Sequence, residues 1–241
     1  MLTDETTTSF HVPPGARAPA LILVPDLPEV PLEARQTNRD MAVLAERFHH
    51  SIGWVTSFGI MPGQTGSDRS FSFDGWVERL SDMTLSSALD PSVSSVWLMG
   101  AGFGGTVAAR VAANYPEIAG LVLTSTPSNV HNWLAQPTHL MARLKHAGMM
   151  PTDPEDPELW RRALRSIDVP EDVRRCGPRP VLVVHGEDDR SVPPTAARSI
   201  ADRGGRHVQL RLMRGAGHET HVDPRILAIV ETWLVAQAGT A

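Results

Sequence analysis

The stretch from Ser94 to Val111 most constrains what this chain can fold into. A short run rich in β-branched and aromatic residues ends there in a group of glycines, and a helical pattern of small residues follows at once. This order predicts a strand, a very sharp turn and a helix. The turn is Gly100–Gly104, with the sequence Gly-Ala-Gly-Phe-Gly, so Gly102 at its centre carries no side chain.

Other apolar runs predict further strands of the same sheet. Ala20–Val24, Gly120–Thr124 and Pro180–Gly186 are almost continuously apolar, as expected for parallel strands that are covered on both faces. Additional strands are predicted at Thr6–Val12, Gly53–Phe58 and Val208–Leu212, and around Val96. Because strands alternate with helical patterns, the sequence predicts a mostly parallel sheet with helices on both faces. Ligands of such sheets bind beyond the carboxyl ends of the strands.

The composition limits which kinds of partner the protein is expected to bind and in which compartment it is expected to lie. The 241 residues carry a net charge of -5, which argues against a nucleic-acid or anionic-membrane partner. The single cysteine, Cys176, excludes an intrachain disulfide and is expected to be inert. No apolar run approaches the roughly 18 residues of a membrane span, and Met1–Ser9 does not resemble a signal peptide. We therefore expect a soluble, cytoplasmic protein.

Residues 127–178 interrupt the alternation of strands and helices. They contain many prolines and two helical pieces, which we interpret as a short cap within a single domain, 1–241, whose core is 1–126 and 179–241. The apolar side chains of this cap that could line a pocket are Trp133, Leu140, Met141, Leu144, Met149, Met150, Trp160 and Leu164. Trp133 and Met141 are the substrate-binding candidates among them. They favour a small apolar or acyl-bearing ligand, unless these side chains pack the cap onto the sheet instead.

Three segments resemble loops of the α/β-hydrolase superfamily, in the manner of its lipases and esterases. Gly100–Gly104 is similar to the nucleophile elbow, Val183–Pro193 to the segment that bears the acid of the triad, and Gly215–Glu219 to the loop that bears the histidine. Their order along the chain is that of the superfamily. The resemblance implies the α/β-hydrolase fold, with about seven strands because little chain precedes Ala20.

The same resemblance assigns roles to individual residues. Asp189 matches the acid and His218 the base, and Gly102 stands where Ser, Cys or Asp would attack. Glycine offers neither oxygen nor sulfur, so an acyl-enzyme through residue 102 is impossible. The backbone amides of Phe103 and Leu27 would donate hydrogen bonds to an oxyanion.

The first strand also departs from the superfamily pattern. Pro25-Asp26 follows it, whereas a His-Gly pair is often found in the superfamily. Asp26 would repel an oxyanion, pair with a cationic or hydroxyl-bearing group of the substrate, or act as an acid. The sequence does not orient its side chain, so these alternatives stay open.

Two functions are compatible with these residues. In one, His218 held by Asp189 activates a water or removes a proton directly, and hydrolyses a small apolar ester, lactone or activated carbonyl. In the other, the chain is a pseudoenzyme, a small-molecule binder or interaction protein on the hydrolase fold. Ser57 and Ser125 could be displaced nucleophiles, but we interpret them as ordinary turn residues because nothing places them on an elbow.

A metal site is not indicated. His218, His221 and Asp223 lie close in sequence, but their spacing matches no strong metal motif. We therefore expect no metal and no cofactor. His185, at the end of a buried strand, is interpreted as structural, and Glu187 and Asp188 as solvent-facing or loop-capping.

Overall fold

A computed structural model describes residues 7–28, 31–64, 66–67, 69–131, 137–149 and 157–239, without the side chains of 31–35, 137–140, 143 and 157–160. The strands in these residues are β1 (Thr7–Phe10), β2 (Ala18–Val24), β3 (Val55–Gly59), β4 (Val93–Ala101), β5 (Ile118–Thr124), β6 (Val181–Gly186) and β7 (Val208–Met213). The helices are α1 (Pro31–Ile52), α2 (Phe73–Leu89), α3 (Phe103–Asn114), α4 (Pro137–His146), α5 (Pro157–Arg165), α6 (Val169–Arg175), α7 (Thr195–Gly204) and α8 (Pro224–Ala238). Among these described helices, none combines the length and apolar character needed to cross a membrane.

The strands form a single sheet in the order β1-β3-β2-β4-β5-β6-β7. β1 is antiparallel to β3, and the other neighbouring pairs are parallel. This is the mostly parallel sheet of about seven strands that the sequence predicted. Because β4 lies between β2 and β5, the turn that follows it is at the centre of the sheet, next to the loop after β2.

Two hydrophobic layers cover the faces of the sheet. In β2, Ile22 and Val24 contribute to one layer, and Leu21 and Leu23 contribute to the other. This alternation follows from the two-residue period of a strand. Since both faces are buried, β2 reads as a continuous apolar run instead of an alternating one. The first layer includes residues of α2, α3 and α7, and the second includes residues of α1 and α8.

The described part of the cap packs onto the first hydrophobic layer. Leu144, Met149 and Leu164 are buried in this layer, and Met141 packs against it as a partly buried residue. These four residues therefore pack the cap onto the sheet, which was one of the two interpretations of the sequence. The remaining candidates, Trp133 and Met150 and the side chains of Leu140 and Trp160, lie outside the described residues. The cap also contains a short helix that the sequence did not predict, α6, whose first turn is capped by Asp168.

Candidate active site

The backbone at the centre of the sheet has the sharp turn that the sequence predicted. β4 ends at Ala101 and α3 begins at Phe103, so Gly102 makes the turn with φ 50° and ψ −121°. Residues that carry a side chain rarely adopt this backbone conformation. The Gly102 N–H donates to the carbonyl oxygen of Thr124 at 2.9 Å, which ties the turn to β5. Gly104 allows α3 to approach β2, because a Cβ there would collide with the carbonyl oxygen of Pro25.

The carboxylate of Asp26 lies over Gly102. A Cβ added to Gly102 would overlap the carboxylate carbon and both of its oxygens. Asp26 comes from the loop after β2, its side chain is 26% exposed, and it points into the site. The structure therefore settles the orientation that the sequence left open, and this side chain fills the space that a nucleophile at residue 102 would occupy.

One oxygen of Asp26 accepts hydrogen bonds from both of the backbone amides that were predicted to bind an oxyanion. The N–H groups of Leu27 and Phe103 each donate to Asp26 Oδ1 at 2.7 Å. The Phe103 amide is also at the N-terminus of α3, where the helix dipole favours negative charge. The two amides converge on one point, as oxyanion binding requires, but the protein's own carboxylate occupies it.

His218 connects Asp26 to Asp189. Its Nε2 is 2.9 Å from Asp26 Oδ2, and its Nδ1 is 2.8 Å from Asp189 Oδ2. The contact between His218 and Asp189 that the sequence led us to expect is present. Only a doubly protonated ring can donate to both carboxylates at once.

The two carboxylates determine the charge of the His218 ring. Burial by itself lowers the pKa of His218, but hydrogen bonds to Asp189 and Asp26, together with their negative charges, raise it to about 10. At neutral pH the ring is therefore an imidazolium. In this resting arrangement His218 is a proton donor, whereas the hydrolase interpretation of the sequence needs it as a base. Asp26 occupies the position expected for a substrate or water.

Asp189 is held by four donors. Its Oδ1 accepts the backbone N–H groups of Ser191 and Val192, both at 2.9 Å. Its Oδ2 accepts from His218 and lies 3.1 Å from Nε2 of His185. Burial alone raises the pKa of Asp189, but these hydrogen bonds lower it well below its ordinary value. The carboxylate is therefore ionised, and it fixes the orientation of the His218 ring.

His185 contacts Asp189, a connection to the site that the sequence did not reveal. It is fully buried in β6, and its Nε2 lies 2.9 Å from the carbonyl oxygen of Val192 as well as 3.1 Å from Asp189 Oδ2. The structural interpretation of this residue is compatible with that location. One indication of this contact was present in the sequence, which was the place of His185 at the end of a strand, four residues before Asp189.

A cleft of about 380 Å³ opens onto Asp26 and His218. Leu27, Met41 and Val192 supply part of its apolar wall, and the carboxylates of Asp40 and Glu219 give it an acidic, exposed side. Its described lining comes mainly from loops at the carboxyl ends of strands and from α1. Met141 is not among the described residues that line this cleft, and its partly buried side chain packs against the first hydrophobic layer. Trp133 lies outside the described residues.

The two serines considered as displaced nucleophiles are buried, and so is the single cysteine. Ser57 is buried in β3, and the Ser125 hydroxyl hydrogen bonds to that of Thr220 at 2.8 Å, with Ser125 at φ 47°. Cys176 is buried, and burial raises the pKa of its thiol to about 11. Within the residues that the structure describes, no group of three or more His, Cys, Asp or Glu side chains is arranged to hold a metal ion.

Comparison with known proteins relates this chain to α/β-hydrolases. The model of the prolyl oligopeptidase family (Peptidase_S9) matches residues 86–240, which include the elbow, Asp189 and His218. No curated protein matches the sequence. Similar solved structures are those of Est1E from Butyrivibrio proteoclasticus with ferulic acid bound (18% identity, TM-score 0.71, 97% of this chain and 95% of that chain covered) and the α/β-hydrolase GrgF from Penicillium sp. sh18 (18%, 0.69, 95% and 96%). At these identities the likeness establishes the fold, and the predicted α/β-hydrolase fold class is confirmed.

Proposed function

Because the chain belongs to the prolyl oligopeptidase family and has the α/β-hydrolase fold, we propose that it is a hydrolase-type enzyme that acts on a small molecule without an acyl-enzyme at residue 102. The observation that supports this proposal is the continuous hydrogen-bonded chain from Asp189 through His218 to Asp26 at the cleft. Such a chain can transfer a proton between the protein and a bound molecule.

His218 is the group that exchanges the proton in this proposal. It donates while Asp26 is ionised and in contact with it. If a substrate neutralises or displaces Asp26, His218 loses one of its two carboxylate partners, and its pKa falls toward the range in which it accepts a proton from water. Asp189 stays ionised and stabilises the imidazolium. The His218–Asp189 dyad is therefore controlled by Asp26.

The proposed substrate is a small molecule, for which a cleft of about 380 Å³ is large enough. The sequence favoured a small apolar ester, lactone or activated carbonyl. Such a substrate would have to place its carbonyl oxygen where Asp26 Oδ1 now accepts the amides of Leu27 and Phe103. Its hydrolysis therefore requires Asp26 to turn away from these amides first.

The test is hydrolysis of a panel of short-chain aryl esters, lactones and small epoxides by three forms of the full chain. His218→Gln should lower kcat/KM by about a hundredfold or more, since positioned proton transfer contributes at least that much. Asp188→Asn changes an exposed carboxylate of the neighbouring loop and should leave kcat/KM unchanged. Undiminished turnover by His218→Gln would contradict the proposal.

One observation favours a second function, that of a non-catalytic small-molecule binder or interaction protein. The two amides and both ring nitrogens of His218 already have partners within the protein, so the site is satisfied without a ligand. Saturable binding of a panel molecule, with no turnover by the unmodified protein, would favour this pseudoenzyme over the hydrolase.

A further inference from the structure

We propose that His221 is the base of this site and activates water for attack on the carbonyl carbon of a small ester or lactone. His218 keeps its proton meanwhile and donates it to the departing oxygen. This inference rests on the proposed function, which gives both proton transfers to His218 alone. It adds a catalytic residue and divides the roles of acid and base between two rings.

The two histidines lie on one tight turn at the cleft, and both line it. Within this turn, the Thr220 N–H donates to the carbonyl oxygen of His218 at 2.7 Å. The Thr220 side chain is buried, and its hydroxyl hydrogen bonds at 2.8 Å to that of Ser125, the residue after β5. The turn is therefore anchored to the end of β5, and it carries both rings to the same side of the sheet.

The two rings differ in what holds their nitrogens. Both nitrogens of His218 are within hydrogen-bond distance of carboxylates. The His221 ring is partly buried, and no hydrogen bond or ion pair engages it within the residues that the structure describes. A ring nitrogen that lines an open cleft without a protein partner is placed to accept a proton from a water molecule bound there.

The charges around the two rings separate their protonation states. Burial lowers the pKa of His221 below its ordinary value of 6.5, and the positive charge of His218 acts in the same direction. Three carboxylates facing the ring oppose this effect without reversing it, those of Asp26 after β2, Glu219 on the turn and Asp40 on α1. At neutral pH His221 is therefore neutral, while His218, with its pKa raised to about 10, holds a proton. Two groups whose environments move their pKa values apart in this way can act as base and acid.

Displacement of Asp26 by a substrate does not exchange these roles. A carbonyl oxygen that takes the place of Asp26 removes one negative charge near both rings, so the pKa of His218 and the pKa of His221 fall together. His218 keeps its hydrogen bond to Asp189 at 2.8 Å, and His221 gains no such partner. The proton therefore stays on His218, and His221 stays the free base.

In the first step, the substrate carbonyl oxygen accepts the amides of Leu27 and Phe103 that Asp26 has left. The water oxygen bonds to the carbonyl carbon, His221 takes a proton from that water, and the electron pair of the carbonyl double bond moves onto its oxygen. The two amides stabilise the resulting negative charge.

In the second step, the carbonyl double bond forms again and the bond between its carbon and the departing oxygen breaks. The departing oxygen takes the proton from Nε2 of His218. His221 then releases its proton to solvent, and His218 regains one from solvent. The sum is ester plus water giving acid plus alcohol, or lactone plus water giving hydroxy acid.

The first test is the pH dependence of kcat/KM of the full chain, from about pH 5 to about pH 10, with the panel ester or lactone that it hydrolyses fastest. The inference predicts a plateau through neutral pH. On the acid side kcat/KM should fall below pH 6.5, as His221 gains a proton, and on the alkaline side it should fall near a pKa of about 10, as His218 loses one. If His218 were the base instead, kcat/KM would rise through neutral pH toward about pH 10.

The second test replaces the ring and supplies it again from solution. His221→Ala should lower kcat/KM by about a hundredfold or more, and imidazole added to the buffer should restore part of the loss, because the free base can enter the open cleft. His50→Ala removes an exposed histidine in the last turn of α1 and should change neither kcat/KM nor the response to imidazole. Thermal unfolding checks that His221→Ala is folded.

The outcomes separate this inference from the proposed function. Undiminished turnover by His221→Ala, a loss that imidazole does not restore, or a kcat/KM that rises through neutral pH would overturn the inference and leave His218 as the proton-exchanging group. Turnover of epoxides alone would also overturn only the inference. Undiminished turnover by His218→Gln, or no turnover of any panel molecule, would overturn both.

Discussion

At residue 102 the backbone of a nucleophile elbow is retained, while a carboxylate from another loop fills the space above it. The sequence identified Gly102, Asp189 and His218 because each lies in a recognisable segment after a strand. It could not orient Asp26, because that orientation depends on the empty volume over Gly102 and on the Phe103 amide, 77 residues away. Both are properties of the assembled sheet and not of the local sequence.

The Asp26 carboxylate and any side chain at residue 102 compete for the same space. In Gly102→Ser, the new Cβ would overlap the Asp26 carboxylate, so one of the two side chains must move. We expect the free energy of unfolding to fall by about 1–3 kcal/mol, as for other overpacked sites. Gly102→Ser combined with Asp26→Gly removes the overlap, frees the two amides and places a hydroxyl near His218.

Denaturant unfolding and stopped-flow kinetics with an aryl ester check this pair of variants. The double variant should regain stability relative to Gly102→Ser and show a burst of the aryl alcohol, the sign of an acyl-enzyme. A burst in Gly102→Ser alone, at undiminished stability, would mean that Asp26 does not occupy the nucleophile's space.

At the scale of elements, the strands were easier to predict than the cap. β2, β5 and β6 are buried on both faces, so their apolar runs are unambiguous. An amphipathic cap helix such as α4 can turn its apolar residues toward a cleft or toward the core, and its sequence is the same in both cases. In the folded chain, Met141 and Leu144 pack toward the core.

A buried ion pair joins the elbow helix α3 to the cap helix α6. Arg110 Nε is 2.9 Å from Asp172 Oδ2, with side chains only 20% and 5% exposed, and Arg110 also donates to the carbonyl oxygen of Ser166. Burial raises the pKa of Asp172, and the charge of Arg110 opposes this effect. Arg110→Met should lower the free energy of unfolding by about 3 kcal/mol, because it leaves a buried carboxylate with a weaker partner.

The matched control is the exposed pair of Arg174 and Glu171 on α6, where Arg174→Met should cost far less. Adding Asp172→Leu to Arg110→Met should recover most of the lost stability, since no buried charge is then left unpaired and Arg175, the other partner of Asp172, is exposed. Equal losses in Arg110→Met and Arg174→Met, measured by denaturant unfolding, would show that the buried pair does not dock α6 on α3.

At the scale of the whole molecule, the parallel sheet brings the site together. Asp26 follows β2, Gly102 follows β4, Asp189 follows β6 and His218 follows β7, so the carboxyl ends of four strands supply the residues. The sequence was sufficient to predict this convergence, because loops after parallel strands meet at one edge of the sheet. It was not sufficient to predict the charge of His218, which depends on how closely two carboxylates approach one ring.

The central claim is that the Asp26 carboxylate fills the space over Gly102 and keeps the His218 ring in its imidazolium form. Its most direct test is nuclear magnetic resonance titration of the His218 ring in the unmodified protein, in Asp26→Asn and in the control Asp188→Asn. The ring should stay protonated at both nitrogens through neutral pH and titrate at a pKa of about 10. Asp26→Asn should lower this pKa, because a negative charge beside Nε2 is removed, and Asp188→Asn should not change it. A His218 that titrates near 6.5 in the unmodified protein, with the same value in Asp26→Asn, would contradict the claim.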